Sequence, residues 1–111
     1  MSVVDLSHAP LQEVDLSEAD LSEANLVGAN LYKANLSGAQ LYKADLSEAC
    51  LQEAQLYKAD LYGARLVGAD LTRANLQEAN LYKADLSNAN LTDANLNQAD
   101  LTGTHGYQSD V

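Results

Sequence analysis

Apolar and polar positions follow one another in this chain with a period of five: a small residue, a polar residue, leucine, two variable residues, then the same order again. Residues 29–46, ANLYKANLSGAQLYKADL, show the rule undiluted. From Leu6 to Leu101 a leucine stands at every fifth position, twenty in all, and the residue two places before it is alanine in eighteen units and Val4 or Val14 in the others. A helix turns about 100° per residue, so leucines five apart would be rotated by about 140° and form no stripe. An extended strand alternates with period two. Within one unit the small residue and the leucine obey that alternation, with the polar residue opposed, but the next unit starts three residues later and breaks it. The break must be a corner. A chain that turns the same way after every short extended piece winds into a solenoid whose coils stack about 4.8 Å apart.

The units ADLSE, ANLVG, ANLYK, ADLYG and ANLTD resemble the A-(D/N)-L-x-x motif of the pentapeptide-repeat proteins, over about 100 of the 111 residues. The resemblance implies an all-β fold, a right-handed quadrilateral β-helix with four pentapeptides per coil and the leucine at the centre of each face. Twenty units then make about five coils. Residues 1–3 are a short lead, residues 4–103 the repeat solenoid and residues 104–111 a tail. In the tail Thr104 replaces the expected alanine, and His105, Gly106 and Tyr107 replace a unit; the tail is expected to lie over the last coil. Pro10 takes the polar position of the second unit, which suits a first coil with no neighbour below it, because proline cannot donate to a ladder.

The second corner position is glycine at residues 28, 38, 63, 68 and 103, as a type II turn with positive φ requires. Elsewhere it is Glu, Lys, Arg, Asn, Asp, Gln or His. Positive φ is costly for these residues, so corners of more than one type are expected along the solenoid. With alanine at the small position, coils can approach closely, and a bulky residue at Ala54 or Ala59 should be tolerated less well than one at a corner.

With four units per coil, residues twenty apart become neighbours. One column then reads Glu13, Lys33, Glu53, Arg73, Asp93, alternating in sign. Another places Tyr42, Tyr62 and Tyr82 above one another beside Lys43, Gly63 and Lys83. Two readings of that column stand: a stacking ladder that covers its own face, and a protein-binding patch, since tyrosine next to lysine suits a protein partner.

The sequence offers little chemistry. His8 and His105 lie at opposite ends and form no pair for a metal or for base catalysis; Cys50 sits at a polar, outward position with no histidine nearby in sequence. The aspartates at polar positions lack the glycine-rich nonapeptide of calcium-binding β-rolls, and Thr72, Thr92 and Thr102 make no flat ice-binding array. A core of leucine and alanine leaves no room for a pocket. No catalytic residue, cofactor or metal is therefore expected, and the protein reads as a non-enzyme.

Charge alters the picture more. The net charge is −10, against direct binding of nucleic acid or an anionic membrane. Residues 1–25 carry six acids and no base, residues 85–111 four acids and no base, and between them six acids meet Lys33, Lys43, Lys58, Arg65, Arg73 and Lys83. The imbalance therefore sits at the ends. A start without basic or long apolar regions, and no apolar run long enough to span a membrane, point to a soluble, cytoplasmic protein, and the single cysteine excludes an internal disulfide. The leading expectation is an interaction or scaffold module with an unidentified protein partner. The resemblance supplies a second, an acidic DNA mimic that binds DNA gyrase, and makes cyanobacteria a natural source. The regularity also fits a consensus design or an excised fragment. Unpaired edge strands at the ends predict end-to-end self-association.

Overall fold

The computed structural model describes residues 3–107; Met1 and Ser2 of the lead and residues 108–111 of the tail lie outside the described residues. Each polar-position residue forms an isolated parallel β-bridge with the residue twenty further on, from Asp5 with Asn25 to Asp85 with His105. One coil is therefore twenty residues, or four pentapeptides. Among the described residues no longer strand forms, because each extended piece ends in a corner before a second bridge can be made.

An interior unit with Asp or Asn at its polar position pairs all five of its N–H groups. The leucine N–H and the second corner N–H donate to the coil above, as Leu26 to Asp45 at 2.7 Å and Gly28 to Ser47 at 2.9 Å. The polar residue donates to the coil below, as Asn25 to Val4 at 2.8 Å, and the next small residue closes the corner, as Ala29 to Leu26 at 3.0 Å. The first corner N–H remains. In fifteen units the side-chain Oδ1 of the Asp or Asn two residues earlier accepts it at 3.0 to 3.2 Å. The motif's Asp or Asn is thus an Asx-turn residue, chosen because its short side chain reaches its own corner. The units lacking the bond are those with Pro10, Gln40, Cys50, Gln55 or Arg65 at that position, where the side chain has no oxygen at that reach.

Corner geometry differs from the expectation of mixed types. At every second corner position φ is positive: between 55° and 62° at fifteen non-glycine residues and between 64° and 72° at the five glycines. The first corner residues show no such φ, so all twenty corners are of the type II kind. Uniformity follows from stacking. The second corner N–H must point along the coil axis to reach the next coil, and a corner of another type would leave that bond and its neighbours unmade. About 1 to 2 kcal/mol of backbone strain per side-chain-bearing residue is outweighed locally by the ladder.

Glycine at the second corner position consequently has a further role. A Cβ on Gly68 would collide with the Glu48 carboxylate of the coil below, and one on Gly28 would lie 2.5 Å from the His8 ring. The glycines make room for a long side chain lying upward across them. Gly106, at φ 81°, faces backbone instead of a flexible side chain: its Cβ would stand 2.5 Å from the Ser87 Cα, so the tail closes directly against last-coil backbone.

From Leu26 to Leu81 every repeat leucine is fully buried, and every alanine between them is at most 1% exposed. Leu6, Leu11, Leu16, Leu91, Leu96 and Leu101 are only partly buried, since the end coils are covered on one side. The expectation that Pro10 suits the first coil holds: the polar-position N–H points to a coil below, and the Pro10 unit still bonds to the coil above, the Leu11 N–H donating to the Asn30 carbonyl at 2.8 Å. Tyr107 packs against the leucines at the C-terminal end.

The Asx accounting yields a paired expectation. Cys50→Asn, which supplies the missing acceptor for the Gln52 N–H, should raise stability by about 0.5 to 1.5 kcal/mol, and Asn35→Ala should lower it by a similar amount. Urea unfolding curves with unchanged slopes measure both; a Cys50→Asn protein no more stable than its parent would remove the Asx bond as the reason for this residue choice.

Candidate interaction face

The tyrosine column forms as the spacing predicts. Tyr42, Tyr62 and Tyr82 are first corner residues on one edge of three successive coils, with ring centroids 5.3 Å and 5.4 Å apart and planes inclined by 10° and 21°. The backbone fixes the ring spacing. Tyr62 and Tyr82 donate their N–H to Asp60 and Asn80, and the Tyr62 and Tyr82 carbonyls accept from Lys43 and Gly63 of the coils below at 2.8 Å and 2.9 Å. Coil stacking alone sets rings about 4.8 Å apart, so the slight fan to 5.3 Å is the offset that stacked aromatics prefer.

The two lysines join the rings. Lys43 Nζ lies 5.3 Å from the Tyr42 centroid and Lys83 Nζ 5.4 Å from that of Tyr82, within cation–π range. Gly63 and Gly103 leave the space their stems cross, the Cγ atoms of Lys43 and Lys83 each standing 3.3 Å from where a glycine Cβ would be. Tyr42 is 39% exposed, while Tyr62 and Tyr82 are half-buried by their neighbours. The result is a flat aromatic edge with a cation at either end of it. Ser22 below and Thr102 above end the column with small polar residues.

The charge column is only partly realised. Arg73 pairs with Glu53 at 3.3 Å, the one ion pair of this column among the described residues. Lys33 instead lies over its own neighbour Tyr32, 5.4 Å from the centroid. The preceding aromatic competes successfully for the ammonium, because exposed ion pairs gain little. A second ion pair, Arg65 with Asp45 at 3.8 Å, lies between polar positions of adjacent coils and was hidden by reading corners alone.

Three features escape sequence reading. Tyr57, 37% exposed with Lys58 Nζ 5.4 Å from its centroid, borders a shallow groove of about 280 Å³ with Ser17, Glu18, Ser37 and Gly38. A recess of about 800 Å³ opens at the C-terminal end among Leu86, Leu91, Leu96 and Tyr107. This recess lies outside the buried leucine and alanine core, where the last coil stops. Across coils, Asp70 accepts from both the Thr72 hydroxyl at 2.6 Å and Gln52 Nε2 at 2.5 Å, a bridge visible only once columns are stacked. His8 and His105 occupy opposite end coils and Cys50 is half-buried at its polar position. Among the described residues no three His, Cys, Asp or Glu side chains come together as a metal site, and no helix is long and apolar enough to cross a membrane.

The corner bonds also shift acidity. The Thr72 hydroxyl, and after it the Gln52 amide, hold Asp70 below the usual carboxylate range against the opposing effect of burial. Ser7, Ser22, Ser87 and Thr102 hydroxyls do the same for Asp5, Asp20, Asp85 and Asp100, and the Ser17 N–H for Asp15.

A family model described as pentapeptide repeats (eight copies) matches residues 2–38, 39–77 and 69–105. Among solved structures, HetL, a pentapeptide repeat protein involved in heterocyst differentiation regulation from the cyanobacterium Nostoc sp. strain PCC 7120, is 42% identical with a TM-score of 0.85, the match covering 90% of this chain and 48% of HetL. This chain thus spans about half the length of HetL. Another pentapeptide repeat protein of the same Nostoc strain is 39% identical with a TM-score of 0.79, covering 93% of this chain and 84% of that one. A pentapeptide repeat protein from the Arabidopsis thaliana thylakoid lumen is 34% identical with a TM-score of 0.53, covering 96% and 69% respectively. No curated protein matches the sequence.

The lowered acidities set a pH dependence. A carboxylate whose folded pKa lies below its unfolded value adds stability above the unfolded pKa, and that stability is lost as pH falls through the folded one. Between about pH 5 and pH 2 the Tm should therefore fall more for this protein than for a variant with Asn at positions 5, 15, 20, 70, 85 and 100, whose corner bonds do not titrate. The comparison belongs in about 1 M salt, where the Debye length of about 3 Å suppresses the net-charge repulsion that also changes with acid. Parallel Tm curves for the two proteins would refute the Asx origin of the shifts.

Proposed function

This chain belongs to the pentapeptide-repeat family, and from that membership we propose that it is a non-enzymatic interaction module whose partner is a protein docking on the Tyr42, Tyr62, Tyr82 edge. We take its coil to be right-handed and quadrilateral, a reading supported by membership of the family and by the twenty-residue bridge register. The observation that carries the functional reading is the flat aromatic ladder with Lys43 and Lys83 at its ends. Three stacked rings held by three rigid coils lose little conformational entropy on binding, which is why tyrosine is favoured at interface centres. The flanking ammonium groups add a preference for a partner whose contact surface carries carboxylates around an apolar centre.

Solvent-facing rings on two other corners, Tyr32 and Tyr57, each have a lysine but no stacked neighbour. They offer a built-in control, having the same residue pair without the ladder.

The acidic DNA-mimic reading is the weaker one. Such a mimic must present negative potential along the side that enters a basic groove, and here the middle coils carry all six bases, two of them, Lys43 and Lys83, against the tyrosine rings.

Replacement of Tyr42, Tyr62 and Tyr82 by serine, the residue at position 22 of the same column, should leave the Tm within a few degrees and weaken capture of the native partner from a host lysate by about 30-fold or more, the effect of losing about 2 kcal/mol. Tyr57→Ser should change capture by less than about threefold. Equal loss in both variants would argue against the ladder. In a supercoiling assay the protein should not inhibit DNA gyrase at low micromolar concentration; inhibition abolished by neutralising the acids of one face would transfer the assignment to the DNA-mimic reading.

A further inference from the structure

The two ends of the solenoid differ in the hydrogen-bonding groups they leave without a partner. Each unit sends two N–H groups and one carbonyl toward the C-terminal side, and two carbonyls and one N–H toward the N-terminal side. In the first coil, the carbonyls of the polar and first corner residues, such as Asp15 and Ser17, have no coil below to receive from, and among the described residues they accept no bond. In the last coil the leucine and second corner N–H groups, such as those of Leu96 and Gln98, have no coil above and donate no bond among the described residues. Among the described residues this makes eight carbonyls with three N–H groups at the N-terminal side, against seven N–H groups with three carbonyls at the C-terminal side.

The apolar surfaces match as well. Leu6, Leu11 and Leu16 are partly uncovered at one end and Leu91, Leu96 and Leu101 at the other, with the recess of about 800 Å³ at the latter. Val4, 49% exposed, stands at the N-terminal rim.

We infer that the C-terminal end of this solenoid docks the N-terminal end of a second copy, donor-rich face on acceptor-rich face, so that the leucine core continues across the junction. Same-end pairing is disfavoured on this geometry. Two N-terminal ends would bring twice eight carbonyls to only twice three N–H groups, and two C-terminal ends twice seven N–H groups to twice three carbonyls, whereas the head-to-tail arrangement repeats the bond pattern between any two coils of the chain. The contact is heterologous and leaves a free end on each side, so assembly is open rather than closed in a dimer. Among the described residues Gly106 closes against the Ser87 side of the last coil and Tyr107 borders the recess, while Leu91, Leu96 and Leu101 stay partly uncovered toward the incoming copy.

Charge regulates the contact. The first coil carries Asp5, Glu13, Asp15, Glu18, Asp20 and Glu23, and the last coil carries Asp85, Asp93 and Asp100, with no Lys or Arg in either. Repulsion between these rings opposes docking at low ionic strength and is screened when the Debye length shortens to about 3 Å near 1 M salt. This contact uses the ends and not the tyrosine edge, so it stands or falls apart from the interaction reading above.

Sedimentation velocity tests the proposal on the full chain. The unmodified protein should rise in weight-average mass with concentration, from about 10 μM to about 1 mM, and more steeply at about 1 M than at about 50 mM salt. End blocks then give the polarity. With Cys50→Ser throughout, Gln12→Cys places a thiol on an exposed corner of the first coil and Asn97→Cys on an exposed corner of the last, each carrying a polymer of about 5 kDa through a maleimide. Neither change touches the leucines. Each blocked protein should sediment as a single chain, and an equal mixture of the two should form a one-to-one dimer, about twofold in mass, because one partner retains its free donor end and the other its free acceptor end. Unlabelled cysteine variants should associate like the parent. Strictly monomeric behaviour of the unmodified protein across salt and concentration, or self-dimers in either blocked protein alone, would overturn the inference.

Discussion

The vertical hydrogen-bond register between residues twenty apart is the constraint on which the rest of this molecule depends. Three inter-coil bonds per pentapeptide, at 2.7 to 3.0 Å, must all be made at once. That requirement fixes the corner conformation even where the residue is Glu or Lys, fixes alanine where a larger side chain would hold the coils apart, and fixes a leucine of one length on every face. Close packing does the rest, since a core of one large and one small residue type interdigitates without voids. Stability here is a property of neighbouring coils, not of any single unit.

Much of this is legible in the sequence because the period is so regular. The leucine positions, the role of alanine, the place of Pro10 and the stacking of Tyr42, Tyr62 and Tyr82 all follow from spacing once twenty residues make a coil. What escapes is whatever depends on orientation within the coil. The Asp and Asn residues read from the sequence only as outward polar positions, yet they close their own corners, because the distance from Oδ1 to the second following N–H is a matter of backbone direction and not of composition. Propensity argues for mixed corners, and tertiary stacking overrides it at fifteen residues. Alternating charge suggests a ladder of ion pairs, but Lys33 chooses Tyr32, a neighbour that column reading does not weigh.

The candidate face has the same character. Its residues are identifiable from sequence, while the flatness that makes it a surface comes from the coils behind it. Gly63 and Gly103 matter here through what they lack: with no Cβ in the way, the lysine stems lie down along the edge and bring their charges beside the rings. A similar economy places the chain's uncompensated acids in the end coils, leaving the middle coils neutral.

The constant separation of twenty residues also shapes how the chain gets folded. Bringing two coils together first closes a loop of about twenty residues, and the entropy of that closure is the same wherever along the chain it happens. No segment is an obligatory nucleus on that account. Once a pair of coils exists, each further coil adds to a ready template by closing a loop of the same size, so growth proceeds outward in both directions and the outermost coil is always the last to arrive and the first to leave. Amide exchange across this molecule is therefore graded by depth from the ends in steps of one coil, with Leu51 and Leu56 at the slowest level.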